Sequence, residues 1–155
     1  MKNTIALLST IFFLTACGST GQINSHMLNE QLKSGEARII IERDNSLLYM
    51  AAPATVRSNG TKIASLGRGG SIVQNITEGR NHLTVGTPMS YGRSALSYTA
   101  KAGKTYYFTV SPRSEMMGKV AALGMIGDAI DAESGEQSGL FGIVPVEKEE
   151  GKNDE

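Results

Sequence analysis

The dipeptide Asn59-Gly60 lies between two segments of alternating apolar and polar residues, 54–58 and 61–66. A two-residue connection of this kind needs positive φ at both positions, which Asn and Gly adopt more readily than other residues. An Asn-Gly pair flanked by alternating segments is therefore a strong local signal for an antiparallel hairpin. This hairpin restricts the central part of the chain to β structure.

Further segments rich in β-branched and aromatic residues follow the period of a strand. Residues 37–43 place Ala37, Ile39 and Ile41 on one face. Residues 105–110 do the same with Tyr106, Phe108 and Val110. Similar segments are 71–77, 82–86 and 95–100, and turn signals such as 67–70 and 101–104 separate them. Short strands at this spacing predict an all-β fold, an antiparallel β-sandwich of about seven strands.

The C-terminal part differs in composition. Residues 116–130 are apolar and rich in small residues, which predicts a short helix. The favoured interpretation is that it covers an open end of the sandwich, and the alternative is an apolar face for a membrane or partner. We expect a polar loop over 131–139 and a final strand over 140–147, where Pro145 indicates an edge position.

The first residues have the form of a secretory signal. A positively charged start containing Lys2 precedes an uncharged, mostly apolar run over 4–15. About 20 apolar residues are needed for a helix to span a bilayer, so this run is too short for a membrane span.

The end of that run resembles the lipobox of bacterial lipoproteins. Leu14, Thr15 and Ala16 stand before Cys17, the one cysteine among 155 residues. The resemblance implies cleavage before Cys17 and attachment of lipid to its sulfur. An ordinary signal peptide beside a chance cysteine is the alternative. Because residue 18 is glycine and not aspartate, the same resemblance implies the outer membrane, with the domain in the periplasm.

We therefore expect four regions. Residues 1–16 form the signal peptide, 17–35 the lipidated cysteine and a flexible tether, 36–148 the β-sandwich domain, and 149–155 a charged tail.

The chain carries no recognisable set of catalytic residues. With one cysteine and only His26 and His82, it lacks a metal site built from several Cys and His. His82 is interpreted as a sheet residue that satisfies a turn. The segment 67–70 is glycine-rich, but a β-branched segment follows it, which favours a turn over a phosphate loop. We expect no catalytic residues, no metal and no cofactor.

Four tyrosines, Tyr91, Tyr98, Tyr106 and Tyr107, form a loose set near the later strands. A sugar- or peptide-binding strip is one interpretation, and packing between strands is the favoured one. Tyr106 is expected in the core and Tyr107 on the opposite face.

An ordered series of turn and strand motifs resembles PEGA-type surface domains and related lipoprotein domains of unknown function. The motifs are Asn-Gly-Thr-Lys at 59–62, Gly-Arg-Asn-His-Leu at 79–83 and Ala-Gly-Lys-Thr-Tyr-Tyr at 102–107. The resemblance covers roughly residues 36–112 and implies a β-sandwich, with no chemistry attached to the motifs.

These patterns favour a lipid-anchored envelope protein that acts as a non-enzymatic structural or protein-interaction module. Its expected partners are the membrane, through the lipid anchor, and an envelope protein. The 15 basic and 15 acidic residues balance, which argues against nucleic acid as a partner. The alternative is a lipoprotein that binds a peptide or glycan, and an enzyme is disfavoured.

Overall fold

A computed structural model describes residues 25–116 and 132–146. Several predictions lie outside these residues: the signal peptide, Cys17 with its lipobox, the start of the tether, the charged tail, and the 116–130 segment apart from Met116.

The described residues form one short helix and nine strands. They are α1 (Ser25–Asn29), β1 (Glu36–Arg43), β2 (Ala54–Ser58), β3 (Thr61–Leu66), β4 (Ser71–Thr77), β5 (Gly79–Thr87), β6 (Ser90–Ala100), β7 (Thr105–Pro112), β8 (Ala132–Gln137) and β9 (Phe141–Val146). A single helical turn follows β7 over 113–116. No helix within these residues is long and apolar enough to cross a membrane.

The strands make two sheets, in the orders β4-β1-β7-β9 and β3-β2-β5-β6-β8. The predicted all-β sandwich is confirmed, with nine strands in the described residues where about seven were expected. Every strand pair is antiparallel except β1 with β7, which run parallel. The parallel pair places β7 beside the first strand of the domain, at the centre of its sheet.

The core lies between the two sheets. The four-stranded sheet contributes Ile39, Phe108 and Phe141, and the five-stranded sheet contributes Val56, Leu83 and Tyr98, all buried. The predicted inward faces of β1 and β7 are confirmed, since Ala37, Ile39, Ile41, Tyr106, Phe108 and Val110 all belong to this cluster. Burial of these apolar side chains is the main force that holds the sheets together.

The Asn59-Gly60 hairpin forms as predicted. Asn59 has φ 48° and Gly60 has φ 83°, the signs that a type I′ turn requires. The turn is also tied to β5, because the Asn59 amide donates to the His82 carbonyl and the His82 amide donates to Asn59 Oδ1, both at 2.8 Å. The predicted role of His82, a sheet residue that satisfies a turn, is confirmed through its main chain. The turn at 67–70 is confirmed too, by a bond from the Gly70 amide to the Gly67 carbonyl.

The predicted loop over 131–139 is wrong for most of its length. Residues Ala132–Gln137 form β8, which pairs with β6 at the edge of the five-stranded sheet. The strand is polar and has no alternating apolar face, so its main-chain pairing with β6 is what holds it. Charged residues are common on edge strands because they discourage pairing with other chains.

The final strand is confirmed as β9, and Pro145 lies in it at the outer edge of the four-stranded sheet. Proline has no amide hydrogen to donate, and at the edge of a sheet no further strand needs one.

The chain reaches the sandwich at the start of β1. The buried side chain of Arg38 donates to the carbonyls of Leu28 and Glu30 and, through Nε, to Asn75 Oδ1 at 3.0 Å. Helix α1 lies against β4 beside these contacts. The described end of the predicted tether is thus bonded to the outer face of the four-stranded sheet.

Candidate functional site

Residues 44–53, here named the apolar loop, connect β1 in one sheet to β2 in the other. Four consecutive large apolar side chains stand exposed in it. Leu47 is 70% exposed and Met50 is 60% exposed, and Leu48 and Tyr49 between them are also exposed. A contiguous run of exposed apolar side chains is a feature of interaction surfaces, whereas scattered ones are ordinary.

Arg43, the last residue of β1, is hydrogen-bonded to the main chain of the apolar loop. Its side chain points to the same inward face of β1 as those of Ile39 and Ile41, and it is only 3% exposed. Its guanidinium donates to the carbonyls of Ala52 at 2.6 Å, Leu66 at 2.9 Å and Tyr49 at 2.8 Å. Burial lowers the pKa of Arg43, an effect that the neighbouring Asp44 opposes. Charge-assisted bonds of this kind are stronger than neutral ones, so they fix the path of the loop.

Aromatic contacts close the same end of the core. The Arg43 guanidinium lies 4.5 Å from the centre of the Phe141 ring, and Tyr49 meets that ring edge-on with 6.0 Å between ring centres. Tyr49 has φ 56°, a left-handed conformation that few residues other than glycine adopt. Strained backbone persists where surrounding contacts hold it, and here Arg43 and Phe141 supply them.

Local hydrogen bonds shape the tip of the loop. Ser46 Oγ accepts from the Leu48 amide at 3.1 Å and donates to Glu115 at 2.8 Å. The Met50 amide bonds the Leu47 carbonyl at 3.3 Å. The loop therefore presents Leu47 and Met50 on a backbone that is already ordered, which lowers the entropy lost on binding.

The apolar loop lies at the end of the sandwich opposite the point where the chain enters. It follows the end of β1, while Arg38 and α1 mark the start of that strand. The eight residues of β1 separate the two ends by about 27 Å. The turn between β5 and β6 lies at the same end of the sandwich as the apolar loop, because Thr55 at the start of β2 pairs with Gly86 near the end of β5. This turn carries Met89, which is 67% exposed.

A second candidate site is the outer face of the five-stranded sheet. An open groove of about 690 Å³ runs along β5 between β2 and β6, and it is here named the sheet-face groove. Polar side chains and three glycines make up most of its lining residues: Thr55, Arg57, Gly60, His82, Thr84, Gly86, Thr87, Pro88, Ser90, Tyr91, Gly92 and Arg93. No aspartate or glutamate belongs to this lining.

The rim of the groove is held by contacts between the first residues of β6 and Ser138, which precedes β9. The Ser138 amide donates to the Arg93 carbonyl at 3.1 Å, and the Arg93 amide donates to Ser138 Oγ at 3.3 Å. Gly92, with φ 93°, fits here because a side chain would meet the Ser138 carbonyl oxygen at 2.7 Å. These contacts fix the backbone that carries Tyr91 and Arg93.

His82 lies at the other end of the groove. Its Nδ1 is 3.0 Å from Ser97 Oγ, on the exposed outer face of the sheet. Glu133 of β8 pairs in register with Ser97, but its carboxylate bonds Arg80 at 2.8 Å. In a nucleophilic triad a carboxylate orients the histidine, and here the Glu133 carboxylate is bonded to Arg80 instead. The lack of enzymatic activity stays a prediction.

The tyrosine set divides as the packing interpretation requires. Tyr98 and Tyr106 are buried, with 5.8 Å between their ring centres, and Tyr98 lies 5.0 Å from Phe108. Tyr107 is on the opposite face, half-buried, as predicted. Tyr91 is fully exposed at the groove rim and takes no part in the core.

The Tyr98 hydroxyl is buried and makes no hydrogen bond in the part of the chain that the structure describes. Burial raises the pKa of Tyr98 well above its usual value, with Tyr106 adding to the shift.

The sequence-predicted site residues Leu14, Thr15, Ala16 and Cys17 all precede the described residues, so their role stays a prediction. The two surfaces found here were not predicted as sites. A signal for the first was present, because residues 47–50 are four apolar residues within an irregular stretch. The groove brings together three strands through pairing that no local pattern encodes.

In residues 25–116 and 132–146, no group of three or more His, Cys, Asp or Glu side chains could hold a metal ion. No protein-family model matches the chain, and neither a curated protein nor a solved structure shows significant similarity to it. Membership of the PEGA-type domains therefore stays a prediction.

Proposed function

We propose that the chain is a lipid-anchored protein of the cell envelope whose sandwich serves as a non-enzymatic protein-interaction module, with the apolar loop as its contact surface. The observation that carries the proposal is the exposure of Leu47 and Met50 on a loop that the buried Arg43 holds in place. A few anchor side chains carry most of the affinity in many interfaces, and a preorganised backbone lowers the entropy lost on binding.

A protein partner fits this loop better than a lipid bilayer does. The chain enters the sandwich beside Arg38, about 20 Å along β1 from the loop, which favours a loop that faces away from the anchoring membrane. Carboxylates of Asp44 and Glu115 flank the loop, and anionic lipid headgroups repel such groups. The partner we expect presents an aliphatic groove to Leu47 and Met50.

The anchor part of the proposal rests on Cys17. Its sulfur would carry the lipid after cleavage at Ala16, and two or more acyl chains hold a protein stably where one does not. The residue after Cys17 is glycine, which favours the outer membrane, with the domain in the periplasm.

The anchor is tested by replacing Cys17 with alanine. We expect Cys17→Ala to abolish incorporation of labelled palmitate and to release the protein from the membrane fraction. Thr20→Ala, three residues further along the chain, is the matched control and should leave both unchanged. Normal labelling and membrane retention in Cys17→Ala would contradict the anchor.

The loop is tested separately with Leu47→Asp combined with Met50→Asp. Both side chains are exposed, so the folded state should be kept. We expect the double variant to stay in the membrane fraction and to lose co-purification of its partner. Lys104→Ser, exposed at the opposite end, is the control and should keep the partner.

A further inference from the structure

We propose that the sheet-face groove binds an acidic saccharide, with Arg57 and Arg93 binding its carboxylate or phosphate groups. This site lies on a different surface from the apolar loop and does not depend on the protein-interaction function. Four features carry the inference: two arginines that form no ion pair with the residues that the structure describes, a glycine in the floor, hydroxyl groups along that floor, and one fully exposed tyrosine at the rim.

Arg57 and Arg93 stand on either side of β5. Arg57 pairs in register with Thr84, and Arg93 pairs with Gly86, so the two arginines lie two strands apart. This separation is about 10 Å across the sheet. Both side chains are exposed, and in the described residues neither forms an ion pair. With no carboxylate in the groove lining, the positive charge there is not neutralised by the protein.

A third arginine on the same face, Arg80, forms an ion pair. Arg80 lies outside the groove lining, and its Nη2 is 2.8 Å from the carboxylate of Glu133. The face therefore holds one arginine paired within the sheet and two left available for a ligand. Arginine presents a planar fork of donors that matches carboxylate and phosphate oxygens in pairs.

The floor between the two arginines includes Gly86, where a Cβ would lie 3.4 Å from the Gly92 carbonyl oxygen and 3.6 Å from Arg93 Cβ. This residue lies inside β5 in an extended conformation, where its outward position bears no side chain. Glycine within a strand weakens the strand and often marks close approach of another group. Thr55 and Thr84, which are 7% and 9% exposed, line the floor beside it, and threonine hydroxyls both donate to and accept from sugar hydroxyls.

Tyr91 supplies the feature that favours a saccharide over a simple anion. Its side chain is 101% exposed, at the groove rim beside Arg93. The backbone there is fixed by the bonds between Arg93 and Ser138. A fully exposed aromatic face carried on this backbone suits stacking against the C–H groups of a sugar ring, which carry partial positive charge.

The shape of the groove agrees with an extended ligand. It is open along its length and reaches from Gly60 and His82 past the end of β5 to Tyr91 in β6. The distance from His82 to Thr87 along an extended strand is about 17 Å. A chain of several sugar units lies along such a surface, while a small ion would occupy only one end.

The test is calorimetric titration of the full chain, purified in detergent, with three probes of similar length. They are an oligogalacturonate, a phosphorylated oligosaccharide and a neutral maltooligosaccharide. We expect the acidic probes to bind and the neutral one to bind at least about tenfold more weakly, with affinity falling as salt is raised. Whichever acidic probe binds more tightly identifies carboxylate or phosphate as the natural negative group.

Variants locate the binding in the groove. Arg57→Gln combined with Arg93→Gln should weaken the acidic probe by about tenfold or more. Arg80→Gln is the matched control and should change affinity by less than about twofold, because this arginine lies outside the groove. Gly86→Val should also weaken binding by filling the floor, and its near-normal melting temperature would show that the sheet is intact.

Three results would overturn the proposal. One is equal binding of the neutral and acidic saccharides. Another is unchanged affinity in the Arg57 and Arg93 double variant when its melting temperature matches the parent. The third is tighter binding of an oligoglutamate peptide than of either acidic saccharide, which would make the ligand a peptide.

Discussion

The guanidinium of Arg43 donates a hydrogen bond of 2.8 Å to the carbonyl oxygen of Tyr49, which lies at the centre of the apolar loop. The same side chain bonds Ala52 and Leu66 and lies over the Phe141 ring. One buried charge thus connects the core to the surface that we propose as the contact site.

Arg43→Met should lower the free energy of unfolding by about 3 kcal/mol, because two buried carbonyls and one partly buried carbonyl lose their donor. The apolar loop should also become sensitive to protease. Urea denaturation and limited proteolysis measure the two effects. Arg57→Met, at an exposed position, is the control and should change stability by less than about 0.5 kcal/mol. Equal stability of the two variants would show that Arg43 does not hold the loop.

Gly60→Ala should destabilise the protein by about 1 kcal/mol, since alanine is strained at the φ of 83° that the turn imposes. The space around Gly60 is open, so the backbone conformation alone causes the loss. Thr61→Ala is the control, because it places alanine at the exposed neighbouring position, where φ is not positive. A melting temperature for Gly60→Ala at or above that of Thr61→Ala would refute the type I′ turn.

Tyr98→Phe should stabilise the fold by about 1 kcal/mol, because it removes a buried hydroxyl that has no hydrogen-bond partner among the described residues. The ring contacts with Phe108 and Tyr106 are kept. Thermal unfolding at pH 7 measures the change. Tyr107→Phe, on the half-buried outer face, is the comparison. A loss of stability in Tyr98→Phe would mean that the hydroxyl does have a partner.

The fold should lose stability in alkali. Burial raises the pKa of Tyr98, so the folded chain keeps this phenol neutral where the unfolded chain ionises it. Its contribution is complete below about pH 10, the usual tyrosine pKa, and is lost as the pH rises above that value. Unfolding free energies measured from pH 7 to 11 should fall less steeply in Tyr98→Phe. Parallel curves for the two proteins would assign the alkaline loss to other groups.

Local patterns in the sequence were sufficient to predict the strands in which one face is apolar and the other polar. The alternation in β1 and β7 identified the core positions, and Asn59-Gly60 identified the hairpin, because both effects act within a few residues. The lone proline of the last strand likewise indicated its edge position.

Features that depend on distant partners were not predictable in this way. β8 has a polar sequence and is a strand only because β6 offers its backbone. The parallel pairing of β1 with β7 joins residues 38–43 to residues 105–110, and nothing near either segment encodes it. Arg43 continues the inward parity of β1, yet a charged residue is buried there only because three carbonyls converge on it.

The candidate sites follow the same division. The apolar run at 47–50 is visible in the sequence, but its exposure and the hydrogen bonds from Arg43 to the loop main chain are not. The sheet-face groove depends on three strands arranged side by side, with Arg57 and Arg93 placed across β5 by register.

The most direct test of the central proposal is photo-crosslinking in intact cells from a photoreactive residue placed at Leu47 or at Met50. Lys104, exposed at the opposite end, serves as the control position. The proposal predicts one protein adduct of constant mass from both loop positions, absent from position 104 and lost when the other loop residue is changed to aspartate. Adducts to lipid alone from Leu47 and Met50, or the same protein adduct from position 104, would contradict it.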